Sequence, residues 1–222
     1  MASIYRYERK FVFNSSQYDY IINRIEINGW SRLFPERKIN NIYLDSIGKQ
    51  SYFDSIDGNL RKEKYRIRWY GQTFPKNKII TSPVFEIKVK INTVNYKILK
   101  SLKVIQLYNG MSYTNLKKKV FGQLSKILSE NESIKLFNKE IQFINNYDRE
   151  YFINNDSKVR LTIDKNQNYF QIAPSIKHYA TDDSIVVELK YNLDKDYKNF
   201  VIRTNLVQNS KYRNGIDLLF GI

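Results

Sequence analysis

Short runs in which apolar and polar residues alternate recur along this chain, and alternation with a period of two predicts half-buried strands. The first run, Tyr5 to Phe13, puts Arg6, Glu8 and Lys10 on one face and Tyr5, Tyr7, Arg9 and Phe11 on the other. In Lys64 to Tyr70, Lys64, Arg66 and Arg68 oppose Tyr65, Ile67 and Trp69. In Val84 to Ile91, Glu86, Lys88 and Lys90 oppose Phe85, Ile87, Val89 and Ile91. Arg160, Thr162 and Asp164 oppose Val159, Leu161 and Ile163, and Glu188 and Lys190 oppose Val187, Leu189 and Tyr191 within Ile185 to Leu193. Less regular runs at Ile39 to Asp45, Phe143 to Phe152 and Gln167 to Ile172 complete the expected strands.

Helical spacing appears between these runs. Ser15 or Ser16 would cap a helix reaching about Asn28, with Ile21, Ile22, Ile25 and Ile27 as its apolar stripe and Gly29 as its stop. Lys49 to Asp54 reads as a helical turn. Asn95 to Asn138 reads as the helical middle, with Val120, Leu124, Ile127 and Leu128 at helical spacing. Tyr197 to Leu219 reads as a closing helix and short tail. No repeat, linker or low-complexity tail divides the chain, so residues 1–222 are expected to form a single α+β domain of mostly antiparallel strands.

Charge adds the first functional constraint. Lys and Arg outnumber Asp and Glu by 37 to 22, a net charge of +15, which calls for an anionic partner. The absence of cysteine excludes disulfides and thiolate metal sites. With His178 as the one histidine, any metal must be a hard cation held by carboxylates and phosphate oxygens. His178 itself reads as a loop residue. No apolar run is long enough to cross a bilayer, and the charged N-terminus is unlike a signal peptide, so the expected location is the cytoplasm.

A polar strand face is ordinarily a solvated one. Such faces mix signs and neutral residues, whereas here the polar faces are dominated by Arg and Lys with one carboxylate in most strands. Like charges across a sheet repel, and enclosing them costs more unless an anion neutralises them. The pattern therefore points to a multiply charged phosphate ligand, gripped by Arg forks and Lys point charges. The carboxylates Glu8, Glu86, Asp164 and Glu188 would either anchor these cations or hold Mg²⁺ or Mn²⁺.

The same runs resemble the VTC domain, the polyphosphate polymerase module of the triphosphate tunnel metalloenzyme (CYTH-like) superfamily. The matching stretches are Arg6-Tyr7-Glu8-Arg9-Lys10-Phe11, Ile42-Tyr43-Leu44-Asp45, Lys64 to Gly71, Phe85 to Lys90, Arg149-Glu150-Tyr151, Val159 to Asp164, Val187 to Tyr191 and Ser210 to Gly215. The resemblance implies a closed antiparallel tunnel of eight strands with helices packed outside. It also implies transfer of the ATP γ-phosphoryl group to a growing polyphosphate chain, assisted by Mn²⁺ or Mg²⁺. Carried over by position, it implies catalytic roles for Lys10, Arg66, Arg68, Lys88, Arg149, Arg160 and Lys211, substrate binding by Arg6, Lys64, Lys90 and Lys190, and metal ligation by Glu188. Hydrolase relatives open with Glu-x-Glu-x-Lys; Arg6 replaces the first Glu here, which favours the polymerase branch. Some polymerase relatives carry a histidine just after the Glu-x-Lys strand, where this chain has Val89, Lys90 and Ile91.

The expected ligands are ATP and polyphosphate or tripolyphosphate, with inositol phosphate as a further candidate and a membrane-spanning partner left open. Two alternatives accompany the polymerase: a metal-dependent triphosphatase of the same fold, and a non-catalytic module that binds polyphosphate or inositol phosphate. Nucleic acid is not expected, because most aromatic residues fall on the apolar faces. Tyr43, Tyr52 and Tyr70 are the candidates for adenine stacking, although core packing is the stronger expectation for each.

Overall fold

The computed structural model describes residues 6–71, 78–92, 94–154, 159–192 and 207–222. Its elements run β1 (Arg6–Phe13), a 3-10 turn (Ser15–Gln17), α1 (Tyr18–Ile27), β2 (Trp30–Ser46), α2 (Gln50–Ile56), β3 (Arg61–Tyr70), β4 (Lys78–Ile80) and β5 (Val84–Ile91). They continue with β6 (Val94–Ser101), β7 (Ile105–Leu107), α3 (Tyr113–Leu124), α4 (Glu130–Leu136), β8 (Lys139–Asn154) and β9 (Arg160–Gln171). The last elements are β10 (Lys177–Asp182), β11 (Ile185–Asn192) and α5 (Lys211–Phe220). Nine strands form a sheet in the order β1-β11-β9-β8-β2-β3-β5-β6, with β10 on β9, and β4 pairs with β7 separately. An antiparallel sheet with helices is the architecture expected, with nine strands taking part instead of eight.

The chain divides into two compact units. The first comprises Met1–Lys38, Tyr147–Gln167 and Thr181–Ser210; the second comprises Ile39–Asn146, Asn168–Ala180 and Lys211–Ile222. In the first unit, the apolar faces of β1, β9 and β11 pack with α1. Phe11, Leu161, Ile163, Val187, Leu189 and Tyr191 join Ile21 and Ile25 in one cluster. In the second unit, Tyr65, Ile67, Trp69, Phe85, Ile87 and Val89 pack against Leu116, Val120, Leu124 and Leu136 of α3 and α4. Alternation therefore sorted the two faces of these strands correctly, because a pleated strand has no other way to bury its apolar residues.

A second cluster in that unit surrounds α5, where Tyr212 and Ile216 meet Tyr43, Tyr52, Phe143 and Tyr169. Buried Asp45 fastens it, accepting hydrogen bonds from the Tyr212 hydroxyl at 2.5 Å and the Ser51 hydroxyl at 2.9 Å. Tyr43 and Tyr52 are thus core residues and Tyr70 is exposed.

Several expectations need correction. Residues 95–101 form strand β6, not helix: Ile98 and Leu99 suit a helical stripe, but pairing with β5 from Val84↔Ser101 to Ile91↔Val94 satisfies the backbone instead. Asn92, at φ 53°, takes the left-handed conformation that a tight hairpin favours. The expected strands at 159–164 and 167–172 are one continuous β9, because Asn166 tolerates φ 53° without ending the strand. Strand β2 begins at Trp30, nine residues before the expected start, its early part hidden by Pro35 and a charged, exposed segment. The first helix is preceded by a 3-10 turn capped from Asn14, whose backbone N–H donates to the Gln17 side chain at 3.0 Å. His178 lies on β10, its ring edge-on to Phe170 at 5.4 Å, and is not a loop residue. Of the expected closing helix, Lys211–Phe220 is present and residues 197–206 lie outside the described residues.

Candidate functional site

In the first unit the polar faces of β1, β11 and β9 lie side by side, since directly paired residues share a face. One row runs Lys10↔Glu188↔Thr162 and the next runs Glu8↔Lys190↔Arg160. Asp164 follows on β9, opposite Val186. Strand β8 adds Arg149, which donates to Asp164 through Nη2 at 2.6 Å and places the same nitrogen 4.0 Å from Glu188. Lys190 is ion-paired with Glu188, and Lys10 lies 3.2 Å from Glu8 while donating to the Asn209 carbonyl at 3.0 Å.

In this centre Lys10, Arg149 and Lys190 face Glu8, Asp164 and Glu188, and Arg160 adds a fourth cation beside Lys190. Burial pushes the Glu188 carboxyl up, but Lys190, Lys10 and Arg149 outweigh it and hold it well below the usual carboxylate range. Burial likewise works against the Lys10 ammonium, yet Glu188, Glu8 and Asp164 leave its pKa raised. Arg149 is driven further upward by Asp164 and is cationic at any working pH. Glu188 is therefore an ionised, buried carboxylate held among cations.

A divalent metal has a limited but suitable donor set here. Among the described residues no three acidic or histidine side chains come together. The Thr162 hydroxyl oxygen is buried, has no hydrogen-bond partner among the described residues, and lies in the row of Glu188. One carboxylate and one hydroxyl fit a hard ion whose remaining ligands are phosphate oxygens and water, the usual manner of Mg²⁺ at phosphates.

The second unit presents a different face. On β3 and β5, Lys62, Lys64, Arg66 and Arg68 pair with Lys90, Lys88, Glu86 and Val84 respectively. Arg66 donates to Glu86 at 2.7 Å, and Lys97 of β6 approaches the same oxygen at 3.3 Å. The Arg68 Nε donates to Asn41 at 3.0 Å, which orients its guanidinium. Burial raises the Glu86 carboxyl, but Arg66, Lys97 and Arg68 win and bring it down to about 2. A folded pKa below the ordinary 4.5 means a stabilising contribution present above that value and lost as pH falls toward 2. The shift is worth on the order of 3 kcal/mol. Glu86→Gln is thus expected to lower the urea midpoint at pH 7 and to flatten the acid limb between pH 4.5 and 2. A variant whose acid limb is as steep as that of the parent would refute this.

Lys10, Arg149, Glu188 and Lys190 come together as expected, with Arg160 in register beside Lys190. Lys64, Arg66, Arg68, Lys88 and Lys90 share the second unit's face. Lys211 starts α5 and lies on no strand. Arg6 pairs with Asn192 in β1, and its side chain lies outside the described residues. Sequence reasoning missed Lys97, whose strand was read as helix, and the role of the unpartnered Thr162.

A family model described as the VTC domain matches residues 5–220. The chain belongs to the VTC domain family. No curated protein matches it. Among solved structures, a candidate adenylate cyclase from Bacillus halodurans shares the fold at 12% identity and TM-score 0.54, covering 95% of this chain and 98% of that one. A Vibrio parahaemolyticus candidate adenylate cyclase matches at 10% identity and TM-score 0.44, covering 88% and 80%. A candidate adenylyl cyclase from Hippeastrum, described as having a dominant triphosphatase activity, matches at 11% identity and TM-score 0.40, covering 82% and 78%. Within this VTC domain no described helix is long and apolar enough to cross a membrane.

Proposed function

We propose that this VTC domain is a polyphosphate polymerase that transfers the γ-phosphoryl group of ATP to the end of a polyphosphate chain, and that its sheet closes into a tunnel around these phosphates. The observation that carries the reading is the Glu188 centre, a carboxylate held ionised among Lys10, Arg149 and Lys190, with Arg6 standing where the resemblance puts the first glutamate of hydrolase relatives.

A terminal phosphate oxygen of the chain attacks the γ-phosphorus, and the bond from that phosphorus to the β–γ bridging oxygen breaks. ADP leaves and the chain gains one phosphate. Because the attacking oxygen is already ionised near neutral pH, no general base is needed, and catalysis reduces to positioning and charge stabilisation. Arg66 and Arg68 grip phosphate oxygens with planar forks, with Lys64, Lys88 and Lys90 adding point charges. Arg149, held by Asp164, presents a fixed guanidinium, and Lys10, Arg160 and Lys190 offset the repulsion between the two polyanions. Lys211 and Arg6 are assigned to phosphate binding by family position. Glu188, with Thr162 beside it, would hold Mn²⁺ or Mg²⁺, which supplies charge neutralisation at the phosphates.

Incubation of the chain with ATP and Mn²⁺ is expected to yield ADP and a ladder of polyphosphate on a gel. Phosphate release without polymer would make it a triphosphatase. Tight tripolyphosphate or inositol phosphate binding without any product would make it a binding module.

A further inference from the structure

Arg149 and Asp164 have a second charged pair directly behind them. Successive side chains point to opposite faces of a strand. Arg149 of β8 meets Asp164 of β9 at 2.6 Å beside Glu188, while their neighbours Glu150 and Lys165 meet at 2.7 Å on the face toward α1. The Glu150 carboxylate is buried, and both of its oxygens are engaged. Oε1 accepts from the Tyr18 hydroxyl of α1 at 2.6 Å as well as from Lys165, and Oε2 accepts from Arg32 of β2. Lys165 also reaches Glu36 of β2 at 3.0 Å and lies over the Tyr18 ring at 4.4 Å. Burial pushes the Glu150 carboxyl up, but Lys165, Tyr18 and Arg32 outweigh it and hold it below the usual carboxylate range. An ionised carboxylate thus ties one helix and three strands of the first unit together, and the proposed phosphoryl transfer uses none of its partners.

Strand β9 has an irregular point next to this pair. Asn166 follows Lys165 at φ 53°, a left-handed residue inside a strand, and such a residue interrupts the regular ladder. Its side chain donates to Asp148 at 2.9 Å, and Asp148 is ion-paired with Lys38 of β2 at 2.7 Å. A one-residue slip of a strand turns every side chain to the other face. Here it would carry Lys165 to the side of Arg149 and Asp164 to the side of Glu150, setting like charges against each other on both faces. The signs on the two faces are reversed, cation on β8 beside the Glu188 centre and cation on β9 toward α1. One register therefore satisfies both pairs, and its nearest alternative satisfies neither.

We propose that Glu150 and Lys165, braced by Tyr18 and Arg32, are positioning residues: a charge-coded lock on the α1 face that keeps Arg149 and Asp164 turned toward the Glu188 centre. The role of Arg149 rests on the phosphate-binding reading given above. Arg149 needs such support because a planar guanidinium fork grips phosphate oxygens in one orientation, whereas a lysine acts as a point charge. Asp164 fixes the guanidinium itself at 2.6 Å. The lock fixes the backbone from which both side chains start, and it does so from the face that the substrate does not touch.

The test measures tripolyphosphate binding, and ADP formation from ATP with Mn²⁺, in the parent chain, in Glu150→Gln and in Tyr18→Phe. The binding is repeated in an Arg149→Lys background, which keeps the charge and gives up the planar fork. Glu150→Gln is expected to lower turnover by about ten- to a hundredfold, as a misplaced group does, and tripolyphosphate affinity by about tenfold. In the Arg149→Lys background the same substitution should change affinity by less than about threefold, because no fork remains to be oriented. Tyr18→Phe keeps the ring beside Lys165 and removes one hydrogen bond to Glu150. It should give a smaller change in the same direction, and it carries the test if Glu150→Gln fails to fold. An equal loss of affinity in both backgrounds, or a lower urea midpoint with binding and turnover unchanged, would make Glu150 a structural residue and overturn the lock while the polymerase reading stands. A parent that neither binds tripolyphosphate nor forms ADP would overturn the proposed function and this positioning role together.

Discussion

Glu188→Ala is expected to lower metal-dependent turnover by at least about a hundredfold while leaving polyphosphate binding intact or tighter. The reason is the charge balance around Glu188. Its carboxylate is ionised and buried, with Lys190 ion-paired to it, Arg149 at 4.0 Å and Lys10 in the adjoining register position. Removing it takes away the metal-holding carboxylate and leaves those cations with one negative charge fewer, which attracts a polyanion more strongly. Glu188→Gln keeps the shape and should behave the same way, because the charge and not the volume matters. Turnover measured across a Mn²⁺ titration, alongside polyphosphate binding without metal, separates the two effects. Full turnover in Glu188→Ala would remove Glu188 from the metal site, and equal loss of binding and turnover would make it a structural residue.

Gly215→Ala is expected to destabilise the second unit by about 1–3 kcal/mol, despite the roughly 1 kcal/mol that alanine ordinarily gains over glycine within a helix. A Cβ built at Gly215 would come within 2.2 Å of the Phe143 ring. That ring cannot easily withdraw, because it is fully buried and stacked on Tyr212 at 5.8 Å with Tyr43 at 5.0 Å. Shortening the opposing residue offers a check: in a Phe143→Leu background the added methyl should cost markedly less. A Gly215→Ala protein with an unchanged or higher urea midpoint would show that α5 shifts freely over this cluster.

Both expectations depend on features that the linear pattern discloses unequally. Alternation places Glu188 on a charged face beside Lys190, as one of four such carboxylates, and the resemblance to the VTC domain is what singles it out. Gly215 could not be singled out, because nothing local distinguishes a glycine that admits an aromatic ring from one that merely ends a helix. Thr162 is similar: it occupies an ordinary polar position, and only the register places its buried hydroxyl, unpaired among the described residues, beside Glu188. Lys97 escaped because Ile98 and Leu99 also satisfy a helical period, and short apolar runs do not by themselves distinguish helix from strand.

Taken alone, the sequence determined which residues on each charged strand go to the core and which to the polar face, because side-chain alternation in a pleated strand is a local property. It also determined the sign and excess of charge, and through its motifs the VTC family. Tertiary structure decided which strands pair and in what register, since pairing partners lie far apart along the chain, as with Lys10 and Glu188. Register in turn decided the electrostatics. The same mixture of Lys, Arg and carboxylates becomes a centre of interleaved signs where β1, β9 and β11 alternate them. It becomes a lysine-rich face with Glu86 as its carboxylate where β3, β5 and β6 align them, and no count of charges along the chain can distinguish these outcomes.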